Sequence, residues 1–161
     1  MKTLIVYYSL EGNTEFAAEK IADVIGADTL KLQPKKAYKD KGLSKFLWGG
    51  RSALMAEQPE LLPYEADLSG YDRILFGFPV WASNFTPPLR TFVAEHQEEL
   101  RGKHLAAFAC QAGNGAEKAL EKLAQAIGID GFEETAVFID PKKKSSGETY
   151  AAIAEFCGKL K

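Results

Sequence analysis

Apolar residues in this chain follow two alternating patterns. Continuous runs centre on Leu4-Ile5-Val6-Tyr7-Tyr8, on Ile74-Leu75-Phe76, on 104–110 and on 135–139. Runs that do not alternate are what a strand covered on both faces shows. They predict strands over 2–8, 73–78, 104–110 and 135–139, and a shorter strand over 28–32 stops before Pro34. Between the runs the spacing becomes helical. Ala17, Ile21, Val24 and Ile25 share one helix face, and Gly26 ends that helix. Pro87-Pro88 open a second helix, where proline is tolerated in the first turn, with Leu89, Phe92, Val93 and Leu100 on its apolar face. Ala116, Ala119, Leu120, Leu123 and Ile127 form a third face, closed by Gly128. Tyr150, Ile153, Ala154, Cys157 and Leu160 form the last. Ser44 is placed to cap one more helix carrying Phe46, Leu47, Ala53, Leu54 and Met55, with Gly49-Gly50 either breaking it or marking a close approach. Strands alternating with helices predict an α/β fold. It is a doubly wound five-stranded parallel sheet with helices on both faces, in a single domain spanning 1–161.

Composition narrows the function. A chain of 161 residues, 46% hydrophobic, is enough for one core. A net charge of −2 leaves no basic footprint for nucleic acid. No apolar run approaches membrane-spanning length, and the residues after Met1 lack a signal-peptide layout, so a cytoplasmic location without membrane partners is expected. Cys110 and Cys157 make neither a disulfide framework nor a CxxC site. His96 and His104 are far apart and lack other ligand-type residues beside them, so no metal site is expected. His96 reads as solvated, and Cys110 reads as packing.

The candidate chemistry lies in three turns, each at the carboxyl end of a predicted strand. In open parallel sheets that end is where ligands bind. The first turn is Ser9-Leu10-Glu11-Gly12-Asn13-Thr14, running straight into a helix. It aims backbone N–H groups and a helix N-terminus at one point, which suits a phosphate. It has neither the GxxxxGK[ST] lysine of a triphosphate loop nor a GxGxxG dinucleotide fingerprint. A single terminal phosphate held without a cationic side chain fits better. The second turn follows Gly77-Phe78-Pro79-Val80-Trp81, and the third is Gln111-Ala112-Gly113-Asn114-Gly115.

Tyr8 to Glu15 resembles the phosphate-binding signature of the flavodoxin family. Gly77 to Trp81, followed by Thr86-Pro87-Pro88-Leu89, resembles that family's second flavin loop, and Gln111 to Gly115 its third. The resemblance implies strand order 2-1-3-4-5, the short-chain branch of the family and non-covalently bound FMN. It implies that Ser9, Gly12, Asn13 and Thr14 hold the phosphate, with Leu10 and Glu11 completing the turn. Glu11 would point outward and offer only its backbone N–H, because a carboxylate repels a phosphate. Pro79, Val80, Trp81 and Ala82 would border the flavin ring, Trp81 stacking on it or flanking it. Gln111, Ala112, Gly113 and Gly115 would line the pyrimidine side and the ribityl chain, and Ser83 and Asn84 are further hydrogen-bonding candidates.

Three departures from the family matter. Residues 80–85 include no glycine, so the glycine peptide flip that tunes the flavin in other members is not expected. The third turn has no aromatic residue to cover the ring. The chain is nearly neutral where electron carriers of the family are acidic, and Lys31 to Arg51 is rich in lysine. That section reads as a solvated loop. A functional role for it would be to meet an acidic partner or the 2′-phosphate of NADPH. Two activities follow. One is an electron carrier serving a redox partner protein. The other is an oxidoreductase taking hydride from NAD(P)H and reducing a quinone or similar small acceptor. Either would act as a monomer or homodimer.

Overall fold

The computed structural model describes residues 1–38 and 56–161. The predicted helix after Ser44, its Gly49-Gly50 pair and most of the lysine-rich section lie outside the described residues. Five strands, β1 (Thr3–Tyr7), β2 (Asp28–Lys31), β3 (Arg73–Pro79), β4 (His104–Gln111) and β5 (Thr135–Ile139), form one parallel sheet. Their order is β2-β1-β3-β4-β5. The described helices are α1 (Asn13–Ile25), α2 (Pro87–Glu95), α3 (Gln97–Leu100), α4 (Ala116–Ile127) and α5 (Gly147–Leu160).

The order reverses between β1 and β3, because the chain first steps outward to β2 and then returns across β1. Loops leaving β1 and β3 therefore diverge to opposite faces and leave a crevice between them. The pleat sorts the core into two layers. Ile5, Tyr7, Leu75 and Phe108 face α1 and α5 with Ile153 and Phe156. Val6, Phe76, Phe78 and Ala107 face the other side with Phe92 of α2 and Leu123 of α4. β1 is buried at every position, as its unbroken apolar run predicts. β5 differs because it is the sheet edge. Ala136 and Phe138 pack on the α1/α5 side, but Val137 and Ile139 are exposed on the opposite face.

The predicted helix face reaching from Leu89 to Leu100 is split. α2 ends at Glu95, His96 leaves helical geometry, and α3 carries Leu100 into the core on its own short turn. His96 is not solvated, contrary to the sequence reading. Its ring packs on Phe92 at 4.4 Å and lies between the Tyr64 hydroxyl and Glu99 Oε1, each at 2.7 Å.

Candidate functional site at the carboxyl ends of the strands

The first turn leaves β1 at Tyr8, whose N–H donates to the Gly77 carbonyl at 3.2 Å. Gly12 has φ of +100°, a left-handed conformation that side chains disfavour, and it stands at the N-cap of α1. No side chain caps the helix there. Apart from the Glu15 N–H, the first-turn N–H groups and the positive end of the helix dipole are thus left to a ligand. Ser9 Oγ accepts from Glu15 N at 3.1 Å, which fixes the hydroxyl and leaves its own proton to donate. Thr14 is only 1% exposed, yet among the described residues its hydroxyl has no hydrogen-bond partner; the Cys110 thiol beside it does not meet hydrogen-bond geometry. A buried polar group left unpaired costs on the order of 1–3 kcal/mol, which an anion accepting from it would recover.

Asn13 does something the sequence did not suggest. Its Oδ1 accepts from the backbone N–H of Lys142 at 3.0 Å and of Lys143 at 3.3 Å. The loop after β5 is thereby tied onto the first turn. Lys143 Nζ pairs with Glu11 Oε2 at 3.1 Å, so the Glu11 charge is met by a cation.

The second turn is a tight reversal. Trp81 N–H donates to Asn84 O at 3.0 Å, and Asn84 N–H donates to Trp81 O at 2.9 Å. The central residues, Ala82 (φ +49°) and Ser83 (φ +58°), are both left-handed. This is the mirror-image two-residue turn that ordinarily uses Asn-Gly. Asn84 braces it by donating from Nδ2 to the Ala82 carbonyl at 3.0 Å. Left-handed geometry at a side-chain-bearing residue costs roughly 1–2 kcal/mol. Ala82→Gly is therefore expected to raise stability by about 0.5–1 kcal/mol after the extra chain entropy of glycine is subtracted. Urea denaturation checks this, and a loss of stability would refute stored strain in the turn. Trp81 is half-buried, edge-on to Tyr8 at 5.7 Å and to Tyr38 at 5.1 Å.

The third turn rests on the second. A Cβ on Gly115 would lie 2.7 Å from Ser83 Oγ, so only glycine lets the two loops meet. Gln111 Oε1 accepts from Ala116 N at 3.0 Å and caps α4. Ala112, Gly113 and Asn114 are exposed. Burial pushes the Cys110 thiol up to about 12. At neutral pH the thiol stays protonated and is no nucleophile.

These turns enclose a cavity of about 370 Å³. Ser9, Leu10, Glu11, Asn13 and Thr14 form one wall. Pro79, Val80, Trp81 and Ala82 form a second, and Gln111 and Ala112 a third. Of the residues picked from sequence, Gly12, Gly113 and Gly115 do not line it. Gly12 and Gly115 shape the turns, and Gly113 is exposed at the rim. Sequence reasoning missed Cys110 and Asp140, which complete the lining. Asp140 was findable from its place at the carboxyl end of the fifth strand. Ser83 and Asn84 serve the turn itself. Among the described residues no cluster of His, Cys, Asp and Glu could hold a metal ion, and no helix is long and apolar enough to cross a membrane.

A family model described as flavodoxin matches residues 2–145. The chain belongs to the flavodoxin family. The flavodoxin strand order, the switch point between β1 and β3, and the cavity above it agree with that membership. No curated protein sequence matches this flavodoxin-family chain. Solved structures do. A flavoprotein from Lactobacillus acidophilus, crystallised in complex with FMN, is 24% identical with a TM-score of 0.71, covering 88% of this chain and 95% of its own. A protein from Bacteroides uniformis assigned as a flavoprotein is 24% identical with a TM-score of 0.74, covering 96% and 97%. A Streptococcus pneumonia flavodoxin is 16% identical with a TM-score of 0.62, covering 99% and 97%. At these identities the likeness establishes the fold.

Proposed function

We propose that this protein holds FMN non-covalently in the cavity above β1, β3 and β4 and carries electrons between redox partners. The observation that carries the proposal is the N-terminus of α1 on the wall of a 370 Å³ cavity, where no side chain of the N-cap Gly12 takes the first donors and the buried Thr14 hydroxyl has no partner among the described residues. Ser9 and Thr14 would donate to the phosphate, with the first N–H groups of α1. Pro79, Val80, Trp81 and Ala82 would flank the ring, while Gln111 and Ala112 would meet its polar edge through backbone groups. When bound, the flavin supplies the redox chemistry, and the protein supplies orientation and a low-dielectric wall. Trp81 would exclude water from one side of the ring. Cys110, held protonated, adds neither charge nor a competing nucleophile.

A second reading is favoured by one observation. The third turn is exposed at Ala112, Gly113 and Asn114 and offers no aromatic cover. Among the described residues, a ring bordered in this way has one face open to a second ligand. An enzyme using NAD(P)H to reduce a quinone or similar small acceptor would need that opening.

Purified protein is expected to be yellow, or to turn yellow on adding FMN, with micromolar or tighter affinity. Anaerobic NADPH added without a partner reductase is expected to leave the flavin oxidised. Rapid bleaching would replace the carrier with the enzyme. A colourless protein that refuses FMN would eliminate both.

A further inference from the structure

We propose that Lys142, in the loop after β5, supplies the cation that meets the FMN phosphate, closing over the first turn from the far edge of the sheet. This rests on FMN occupying the cavity. It departs from the sequence expectation of a phosphate held without a cationic side chain, the cation arriving from 130 positions along the chain. Lys142 is fixed at that place by its backbone. Its N–H donates to Asn13 Oδ1 at 3.0 Å, and the next N–H shares the same oxygen. Asn13 is itself 9% exposed, so the anchor is part of the packed turn. The side chain then lies across Gly12. A Cβ built on Gly12 would come within 2.9 Å of Lys142 Nζ and 3.2 Å of its Cδ. The ammonium therefore stands over the glycine at the N-terminus of α1, in the same turn as the buried Thr14 hydroxyl, which has no partner among the described residues.

Charge pairing in this loop singles out the same residue. Lys143 is matched with Glu11 at 3.1 Å, and Lys144 with Asp140 at 3.7 Å. Among the described residues no acidic side chain pairs with Lys142. Two lysines thus neutralise the carboxylates nearest the turn, and the third is left to an anion. Glu11 is tolerated beside a phosphate because Lys143 meets its charge. The expected consequence is selectivity: the site prefers a phosphorylated flavin over riboflavin by more than backbone N–H groups alone provide.

Lys142→Gln keeps the stem and removes the charge. The variant is expected to bind FMN about tenfold more weakly than the wild type, as for losing one charge-assisted hydrogen bond. Riboflavin affinity is expected to stay unchanged, and the salt dependence of FMN binding to flatten. Lys143→Gln, which breaks only the Glu11 pair, is expected to have the smaller effect on FMN. Inorganic phosphate provides a readout free of flavin: it is expected to raise the melting temperature of the wild-type apoprotein and not that of Lys142→Gln. The proposal is overturned if FMN affinity changes less than twofold in Lys142→Gln, or if riboflavin affinity falls in step with it. Either result leaves FMN binding by the wild type intact. A wild-type protein that binds no FMN would overturn the flavin reading as well.

Discussion

Replacing Gly77 with alanine is expected to lower the unfolding free energy by about 2–3 kcal/mol, toward the upper end for volume forced into a packed interior. Gly77 lies in β3 between Tyr7 of β1 and Phe108 of β4. A Cβ there would sit 2.3 Å from Phe108 Cζ and 2.7 and 2.9 Å from the two Cε atoms. Its backbone is not left-handed, so the whole effect is steric. The Phe108 ring is fully buried and packs on Phe138 at 5.9 Å, so swinging it aside opens the layer beneath α1 and α5. For a domain of this size the melting temperature should fall by roughly 5–10 °C. Trimming the ring supplies the control. Gly77→Ala combined with Phe108→Leu should lose less than the sum of the two single changes. A single variant that melts like the wild type would show that the ring yields freely and that Gly77 is not reserved for it. Two residues further on, Pro79 borders the cavity. The same variant should therefore also bind flavin less well.

Trp81→Ala is expected to weaken FMN binding by about 2 kcal/mol, or roughly thirtyfold in Kd. The estimate combines lost apolar contact at about 25 cal/mol per Å² with an aromatic contribution of roughly 0.5–1.5 kcal/mol. Trp81 is pre-positioned for the contact. Its backbone closes the second turn, and its indole is held edge-on by Tyr8 and Tyr38 at interplanar angles of 84° and 78°. Little side-chain entropy is then lost on binding. His96→Ala is the matched comparison, because His96 lies in the Phe92–Tyr64–Glu99 cluster and does not line the cavity. Its FMN affinity should change less than twofold. Titration by flavin fluorescence measures both. Equal dissociation constants for the two variants would remove Trp81 from the ring site.

Much of the frame was legible because each element signals itself locally. Continuous apolar runs marked β1, β3 and β4, whose side chains are buried on both faces of the sheet. Gly26 and Gly128, both left-handed in the structure, ended α1 and α4 where the helical spacing stopped. Where local signals failed, the cause was an unseen neighbour. Val137 and Ile139 look like core residues in the sequence but are exposed, because β5 has a strand on one side only and no described helix covers that face. His96 looks solvated but is only partly exposed, packed among rings brought from 64 and 92.

The candidate site divides the same way. By itself the sequence determined the three turns, their glycines and the absence of a lysine within the first, since these are properties of contiguous residues. Only the tertiary structure decided what each group faces. It gave Asn13 to the backbone of Lys142 and Lys143, left the Thr14 hydroxyl unpaired, and put Ala82 and Ser83 into left-handed geometry. It also brought a lysine over Gly12 from the loop after β5. Parallel strands make that possible. Every strand in such a sheet ends at the same edge, so loops far apart in sequence meet there, and spacing along the chain carries no record of the meeting.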